Sequence, residues 1–289
     1  MLQNKFITYL TSEKRFSEHT IKSYTTDLKQ FTSFLSSEFQ IIDEINEISF
    51  QIIRTWIASL LEKGINPRSV NRKISTLKTY FKFLIREGEL IENPMTKVVA
   101  PKSKTRLPVF IEEDQIASLL NEVQFESGFI GQRNKLIIEL FYVTGVRLSE
   151  LINIKISDVN LINKSIKVLG KRNKERIIPI TSNMTNAINI FIESDKKNTY
   201  LFTDLEGKKL YTKLVYRTVN KYIGKISSVN KKSPHILRHT FATHMLNNGA
   251  DINAIKELLG HANLSATQVY THNTIEKLKT VYKQAHPRA

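Results

Sequence analysis

Ten residues about one third of the way along the chain limit what it can fold into. The segment from Val99 to Pro108 holds two prolines, three cationic residues and no acidic residue. Proline removes a backbone donor and like charges repel, so this composition is typical of an exposed linker rather than a packed helix or strand. The sequence therefore predicts two domains, 1–98 and 109–289, joined by a basic linker at 99–108.

The segment before the linker has the pattern of a small helical domain. Its clearest apolar stripe recurs every three or four positions, at Ile21, Tyr24, Leu28, Phe31 and Leu35. This is the period of one helix face, and similar stripes occupy 52–61 and 70–84. With a shorter helix near Phe6–Leu10 they predict four helices, with Ser17 and Ser69 as N-caps. Their polar faces carry cationic residues that face either DNA or solvent: Lys22, Lys29, Arg68, Arg72, Lys73 and Lys78.

The segment after the linker mixes helical and strand patterns. A helical apolar run covers 134–144 and stops at Gly145. Two β-rich runs, 165–169 and 176–180, flank a polar turn and predict a hairpin, and 200–202 predicts another strand. Further helices are predicted at 182–194, 211–226, 236–248, 252–259, 265–271 and 274–284. The predicted fold class is therefore mainly α with a small β-sheet.

The chain is strongly basic, since 43 Lys+Arg against 27 Asp+Glu give a formal net charge of +16. The first 100 residues carry 14 cations and 11 acids, net +3, and the rest carry 29 and 16, net +13. Cations that neutralise phosphates release counterions, so this excess favours a nucleic-acid partner. A basic but inert surface is the alternative.

The composition excludes several other classes of protein. The chain has no cysteine, which excludes disulfide-stapled secreted proteins, Cys-ligated zinc fingers and thiol enzymes. No apolar run approaches the roughly 18 residues of a membrane-spanning helix. The N-terminal residues lack the apolar core of a signal peptide. We therefore expect a cytoplasmic protein without membrane attachment.

Six residues suited to phosphate chemistry occur in three short segments and one turn: Arg147, Lys171, His235, Arg238, His261 and Tyr270. His235 and Arg238 are three positions apart, so they are neighbours on one helix face. Both side chains can be cationic, and such a pair is favourable when an anion lies between them. Arginine offers a planar fork to two phosphate oxygens. Two arginines and two histidines around one phosphodiester would stabilise the added charge of a pentacoordinate transition state.

Acidic residues show no cluster of the kind that two-metal phosphoryl transfer uses. Glu150, Asp158, Glu175 and Asp251 are scattered along this half of the chain and form no such cluster. Carboxylates are the preferred ligands of the hard cations in such sites. We therefore expect no metal at this site.

The nucleophile must then be a protein side chain or water. Tyr270 is a candidate, although a phenol needs cationic neighbours or a base before it attacks at neutral pH. Lys171, at a hairpin tip, is placed to protonate a leaving 5′-oxygen, and Glu150 to hold the guanidinium of Arg147. Each residue alone also fits a structural role, such as a core tyrosine, a capping arginine or an ordinary turn lysine. The hypothesis depends on their joint occurrence.

These motifs resemble those of the tyrosine recombinases of the phage-integrase family, most closely its bacterial Xer branch. The matching segments are Thr-Gly-Val-Arg147-Leu-Ser-Glu150-Leu, Gly170-Lys171-x-Asn-Lys-Glu-Arg176, His235-x-Leu-Arg238-His-Thr-Phe-Ala-Thr-His244, Leu-Leu-Gly-His261 and Gln268-Val-Tyr270-Thr-His272. The six candidate residues follow one another in the family's order, at intervals of 24, 64, 3, 23 and 9 positions. Arg172 departs from the pattern, because Xer relatives often have glycine there.

The resemblance implies a role for each candidate residue. Tyr270 would form a 3′-phosphotyrosyl bond to DNA. Arg147 and Arg238 would bind the scissile phosphate, and Lys171 would be the general acid. The implied reaction is a transesterification that uses neither ATP nor a metal.

Two histidines and a carboxylate complete the implied site. His235 and His261 would hydrogen-bond the phosphate or the nucleophile and assist proton transfer. Glu150 would support the arginine beside it. No cofactor-binding residue is implied.

The resemblance also implies a fold and an assembly. A four-helix, SAM-like core-binding domain and an α+β catalytic domain would form a C-shaped clamp on double-stranded DNA. Four protomers, in a homo- or hetero-tetramer, would act on two duplexes. The last helix, with its stripe of Ile275, Leu278 and Tyr282, would pack into a neighbouring protomer; folding back on its own chain is the alternative.

The implied function is site-specific recombination in the cytoplasm, at the nucleoid. Resolution of chromosome or plasmid dimers, with a role in chromosome partition and cell division, is the leading hypothesis. A paired recombinase or a DNA translocase would then be a partner. Integration or excision of a mobile element is the main alternative, and a DNA-binding protein without catalysis or a tyrosine-type topoisomerase is more remote.

Overall fold

The computed structural model describes residues 2–42, 44–103, 109–170, 173–194, 198–227, 232–260 and 272–288. The chain forms two compact units, Met1–Arg106 and Leu107–Ala289, so the division falls inside the predicted linker. Each unit has its own hydrophobic core. The domain bounds at 98 and 109 stay predictions.

The N-terminal unit is built from helices. In chain order they are α1 Leu2–Thr8 with a following π-helical turn Tyr9–Glu13, α2 Glu18–Phe39, a 3₁₀ turn Ile45–Glu47, α3 Phe50–Glu62 and α4 Pro67–Arg86. Ser17 caps α2 as predicted, because its side chain accepts a hydrogen bond from the Thr20 amide. The prediction of Ser69 as a cap is wrong. Asn66 caps α4 instead, and the following proline occupies the first helical position, where its missing N–H costs no bond.

Aromatic side chains fill the core between these helices. The rings of Phe31 in α2 and Trp56 in α3 have centroids 4.9 Å apart, and Phe81 of α4 meets Phe31 edge-on at 6.4 Å. All three side chains are at most 2% exposed. Truncation of such a buried ring typically costs about 3–5 kcal/mol, so these contacts hold the unit together.

One carboxylate is buried between α2 and α4. Asp27 is fully buried and accepts hydrogen bonds from Lys73 Nζ and from Thr76 Oγ1, both at 2.9 Å, and it pairs with Arg72. Lys73 also contacts Gln30 and is itself buried. We call these five residues the Asp27 cluster. The expectation that Lys73 lies on an exposed face is wrong, because a charge on the neighbouring helix pairs with it in the interior.

The C-terminal unit combines helices with a small sheet, and this confirms the predicted fold class. Its helices are α5 Glu113–Asn121, α6 Gly128–Thr144, α7 Leu148–Leu151, α8 Ser182–Ser194, α9 Thr212–Ile226, α10 Pro234–Asn247, α11 Ile252–Leu259 and α12 His272–Ala285. After a 3₁₀ turn, Ile156–Asp158, come the strands β1 Val159–Asn160, β2 Ser165–Leu169 and β3 Glu175–Pro179. The helix predicted at 265–271 lies outside the described residues. None of the described helices is long and apolar enough to cross a membrane.

The sheet is antiparallel in the order β1–β2–β3. Strands β2 and β3 form the predicted hairpin, in which Ile166 lies opposite Ile178. The strand predicted around Tyr200 is not formed, because Tyr200 makes one isolated bridge, to Lys155, which does not extend into a ladder. The sheet therefore consists of the hairpin and one short edge strand.

Helix α6 runs through the core of this unit and ends where the site begins. Its last two turns include the buried residues Leu140, Phe141, Tyr142 and Val143. The helix stops at Gly145, which has φ 59°. A Cβ there would lie 2.6 Å from Phe241 Cδ1 and 2.8 Å from Leu259 Cδ2. Glycine is therefore required where α6, α10 and α11 approach one another.

The C-terminal helix α12 packs on its own unit, against α10, α11 and β3. The side chains on its inner face are at most 4% exposed: Leu278, Tyr282 and Ala285. The Tyr282 hydroxyl donates to Val143 O at 3.1 Å, and His286 Nε2 lies 3.3 Å from Tyr142 O. The helix is thus seated on its own chain in this structure, whereas the resemblance implies a place in a neighbouring protomer.

Candidate active site

Arg147 lies at the turn between α6 and α7. The chain leaves α6 at Gly145, and Arg147, with an extended backbone, directly precedes α7. Glu150 holds this residue twice: its Oε2 accepts from the Arg147 amide at 2.8 Å, and its Oε1 accepts from Nη1 at 2.7 Å. The side chain of Arg147 remains 29% exposed. Its guanidinium is therefore held on one side and accessible to a ligand on the other.

A second arginine, Arg176, binds the same carboxylate. From an inward position on β3 it donates Nη1 to Glu150 Oε1 and Nη2 to Glu150 Oε2, both at 2.9 Å. Both side chains are buried. Burial by itself would raise the pKa of Glu150, but the hydrogen bonds and charge of Arg176, and then the hydrogen bonds of Arg147, lower it to about 2. Glu150 is therefore ionised at neutral pH despite its burial.

Arg238 reaches the site from α10. Its Nη1 donates to Gly145 O at 2.6 Å and its Nη2 to Leu259 O at 2.8 Å, and the residue is 8% exposed. Burial, followed by the charge of Arg147, lowers the pKa of Arg238 to about 9, although the nearby Glu150 raises it in part. The two carbonyls that Arg238 bonds are neutral, so a bound anion would supply a counter-charge.

The three arginines all donate to the last turn of α11. The bonds run to successive carbonyls: Arg176 Nε to Leu258 O at 2.8 Å, Arg238 Nη2 to Leu259 O at 2.8 Å and Arg147 Nη2 to Gly260 O at 3.2 Å. Carbonyls in the last turn of a helix have no intrahelical donor, and the helix dipole is negative there. The end of α11 is therefore a natural anchor for cations.

Helix α10 contains three histidines, and the first and the last of them have different surroundings. His235 lies in the first turn, three positions before Arg238, and is exposed. His244 is buried near the end of the helix, where its Nδ1 lies 3.1 Å from Tyr142 Oη, and burial lowers its pKa. His235 is thus placed to meet a ligand, and His244 belongs to the core.

Three predicted site residues, Lys171, His261 and Tyr270, lie outside the described residues. Their neighbours in the chain are described. Gly170 N donates to Lys174 O at 2.7 Å and closes the base of the β2–β3 hairpin, and Gly260 ends α11 with φ 65°. The structure brings together Arg147, Arg238 and Glu150. The roles of all the predicted site residues stay predictions.

Arg176 lies within one of the family motifs, but the sequence predicted no function for it. The sequence did contain a signal for its burial. Arg176 is two positions before Ile178, and residues two apart on a strand point to the same face. With Arg176 included, the described part of the site holds three arginines and one carboxylate, a formal charge of +2. No group of three His, Asp or Glu among the described residues is placed to hold a metal ion. The arrangement suits an oxyanion bound by forked N–H donors.

Known protein families match most of the chain. Residues 109–277 match the phage integrase family, and residues 4–88 match the N-terminal SAM-like domain of phage integrases. The chain is 39% identical over 293 residues to tyrosine recombinase XerC of Staphylococcus carnosus, covering 100% of this chain and 98% of the relative. It is also 39% identical over 296 residues to tyrosine recombinase XerC of Listeria innocua, with the same coverage.

Solved structures of low sequence identity share the fold. One is the XerH site-specific recombinase bound to a palindromic difH substrate, with TM-score 0.72 and 22% identity, covering 90% of this chain and 78% of that one. Another is a lambda integrase tetramer bound to a Holliday junction, with TM-score 0.71 and 18% identity, covering 93% and 80%.

Proposed function

The chain belongs to the phage integrase family and is a tyrosine recombinase, a site-specific DNA strand transferase, and from this premise we propose which residues perform the reaction. Arg147 and Arg238 bind the scissile phosphate, and Tyr270 attacks it. The observation that carries the assignment is the arginine site itself. Its guanidinium groups are anchored by one buried carboxylate and by backbone carbonyls, and they retain a positive charge for an anion.

Cleavage replaces one phosphodiester by another. The Tyr270 oxygen forms a bond to phosphorus, the bond from phosphorus to the 5′-oxygen breaks, and the 3′ end of the DNA stays on the tyrosine. Lys171 gives a proton to the leaving 5′-oxygen, while the phenol proton passes to His261 or His235. Rejoining is the reverse reaction with the 5′-hydroxyl of another strand, so it consumes no ATP.

The arginines stabilise the transition state. A pentacoordinate phosphorus carries one more negative charge than the diester, and the donors that meet this charge are oriented before the substrate binds. Removal of one such preorganised donor typically lowers the rate about 10²–10³-fold. Glu150 acts behind Arg147 and keeps its guanidinium in a single orientation.

The biological role we propose is the resolution of chromosome or plasmid dimers, in the cytoplasm at the nucleoid. Support comes from the similarity to XerC recombinases, which extends over the whole chain at 39% identity. That role connects the enzyme with chromosome partition and cell division. A second recombinase or a DNA translocase is the partner expected of such a system.

For assembly we propose a tetramer on two duplexes, of one chain or of two related chains, with α12 exchanged between protomers. The support is the way α12 is held. Leu278 and Tyr282 fill a surface formed by α10, α11 and β3, and the same surface accepts the α12 of an identical chain when its own helix leaves.

A nicked suicide duplex tests the proposed nucleophile. Its sequence is first selected by binding to the chain, and the nick lets the cleaved fragment diffuse away so that the covalent adduct accumulates. Tyr270→Phe should bind this duplex and form no adduct. Tyr216→Phe, the same change at an exposed tyrosine of α9, should form adduct at the unmodified rate. An adduct with Tyr270→Phe would assign the nucleophile elsewhere.

A further inference from the structure

We propose that Arg176 is a positioning residue of the recombination site. It fixes Glu150, and through this carboxylate the orientation of Arg147, and it also anchors the end of α11. The inference rests on the proposed function, since it concerns the same site. Arg176 is 4% exposed, so it acts through its neighbours rather than on the DNA.

Arg176 and Arg147 share the Glu150 carboxylate. Each of its oxygens accepts one bond from Arg147, at 2.7 and 2.8 Å, and one from Arg176, at 2.9 Å. Without Arg176 a buried carboxylate would retain Arg147 as its main partner and would bind that guanidinium more fully. The group needed at the phosphate would then turn toward the protein.

Arg176 also contacts the end of α11. Arg176 Nε donates to Leu258 O at 2.8 Å, and a Cβ on Gly260 would lie 3.1 Å from Arg176 Cδ. The backbone at Gly260 thus passes directly over the arginine. His261 and Tyr270 follow in the chain, so Arg176 sets the point from which their segment departs.

Arg176 lies close to the base of the β2–β3 hairpin as well. A Cβ on Gly170 would lie 3.5 Å from both Arg176 Nη1 and Glu150 Oε1, so the backbone runs close over the pair. Lys171 is the next residue. The buried Arg176 side chain therefore lies next to the residue before Lys171 and the residue before His261.

The geometry requires arginine rather than any cation. Its Nη1 and Nη2 donate to the two oxygens of Glu150, while Nε donates to Leu258 O. A lysine ammonium cannot donate in both of these directions. Arg176→Lys therefore keeps the charge and removes the geometry. Arg133→Lys is the matched control, because Arg133 is a buried arginine of α6 that donates to Thr203 O at 2.8 Å.

The experiment is single-turnover cleavage of the nicked duplex by the full-length chain, at protein concentrations that saturate the DNA. We expect Arg176→Lys to cleave about 100-fold more slowly than the unmodified chain, with Kd changed less than about twofold, because a misplacement of about 1 Å has that effect. Its thermal midpoint should match that of Arg133→Lys, and Arg133→Lys should cleave at the unmodified rate. Arg176→Gln replaces the lysine variant if the latter does not fold.

An unmodified cleavage rate in Arg176→Lys would overturn the inference. So would a loss of rate that is matched by an equal loss of affinity, or one shared by Arg133→Lys, since either would indicate a general structural defect. Failure of the proposed function would look different, because the unmodified chain itself would then form no adduct through Tyr270.

Discussion

The two units of this protein each bury one carboxylate with two cationic partners, and the two clusters are built differently. In the N-terminal unit, Asp27 bonds to Lys73, Arg72 and Thr76. Lys73 is 4% exposed and the side chain of Arg72 is 46% exposed, so the buried part of the cluster is one anion with one cation. Its charge is balanced within the protein.

In the C-terminal unit the buried charges do not balance. Glu150 is shared by Arg176 and Arg147, and Arg238 lies beside them with a buried guanidinium. Two buried cations and one partly exposed cation thus face one carboxylate. The balanced pair at Asp27 stabilises packing, whereas the three guanidinium groups that gather around the single carboxylate of Glu150 favour a ligand of the opposite sign.

The largest effects should come from removing each carboxylate. Asp27→Asn and Glu150→Gln should each lower the free energy of unfolding by about 3–5 kcal/mol, because a buried cation loses its partner. Glu150→Gln should in addition lower the single-turnover cleavage rate of bound DNA by about 100-fold, since Arg147 loses its orientation. Asp27→Asn should leave that rate unchanged.

Denaturant titrations followed by two signals separate these losses. Trp56 is the single tryptophan of the chain and lies in the N-terminal core, so its fluorescence reports on that unit. Asp27→Asn should shift the transition seen by fluorescence. Glu150→Gln should shift the transition of the C-terminal unit, followed by circular dichroism. Equal loss of cleavage in both variants would mean that the two clusters do not differ as described.

A smaller effect should appear in acid, in the C-terminal unit. Burial lowers the pKa of His286 to about 4, so the folded chain keeps this ring neutral while the unfolded chain protonates it below its ordinary value. Stability from His286 is therefore lost as pH falls from about 6.5 to about 4, by at most roughly 3 kcal/mol. Glu150, whose pKa is lowered to about 2, continues the loss from about 4.5 downward.

Unfolding free energies measured across pH 7 to 4 check this expectation. His286→Phe should flatten most of the dependence above pH 4, with His244 supplying the rest because burial also lowers its pKa. The Trp56 transition, followed in the same titrations, gives the corresponding dependence for the N-terminal unit. A dependence unaltered by His286→Phe would contradict the assignment.

The smallest effect should come from Arg72→Gln. Its side chain is nearly half exposed and Asp27 keeps Lys73 and Thr76, so the free energy of unfolding should change by less than about 1 kcal/mol. If α4 faces the duplex, the slope of log affinity against log salt should fall by about one. The cleavage rate of bound DNA should not change, in contrast to Arg176→Lys. Filter binding over a salt series measures the slope.

Much of the fold was predictable where an apolar period and a stop coincide. Helices α8 and α11 occupy the predicted ranges 182–194 and 252–259, and α11 begins after the cap Asp251. Helix α5 was missed because its buried residues, Ile116, Leu119 and Leu120, span little more than one turn. Strand β1 was missed because two residues carry no alternation.

The site was predictable only in part, because some of its contacts join residues that are far apart in the chain. Arg147, Arg238 and Glu150 belong to recognisable motifs, and the structure brings them together. The sequence did not predict the burial of Lys73 or a role for Arg176, because each depends on a partner far along the chain. The partner is 46 positions away for Lys73 and 26 for Arg176. Periodicity describes one element at a time and does not reveal such pairs.

The last turn of α11 holds the arginines with neutral oxygens, those of Leu258, Leu259 and Gly260. A carbonyl dipole orients an N–H group without cancelling its charge, so these anchors leave the cations their full attraction for DNA. The repulsion among the guanidinium groups is then present in the free protein and is relieved when a phosphate binds. DNA is accordingly a stabilising ligand of this unit, and its thermal midpoint should rise with DNA concentration.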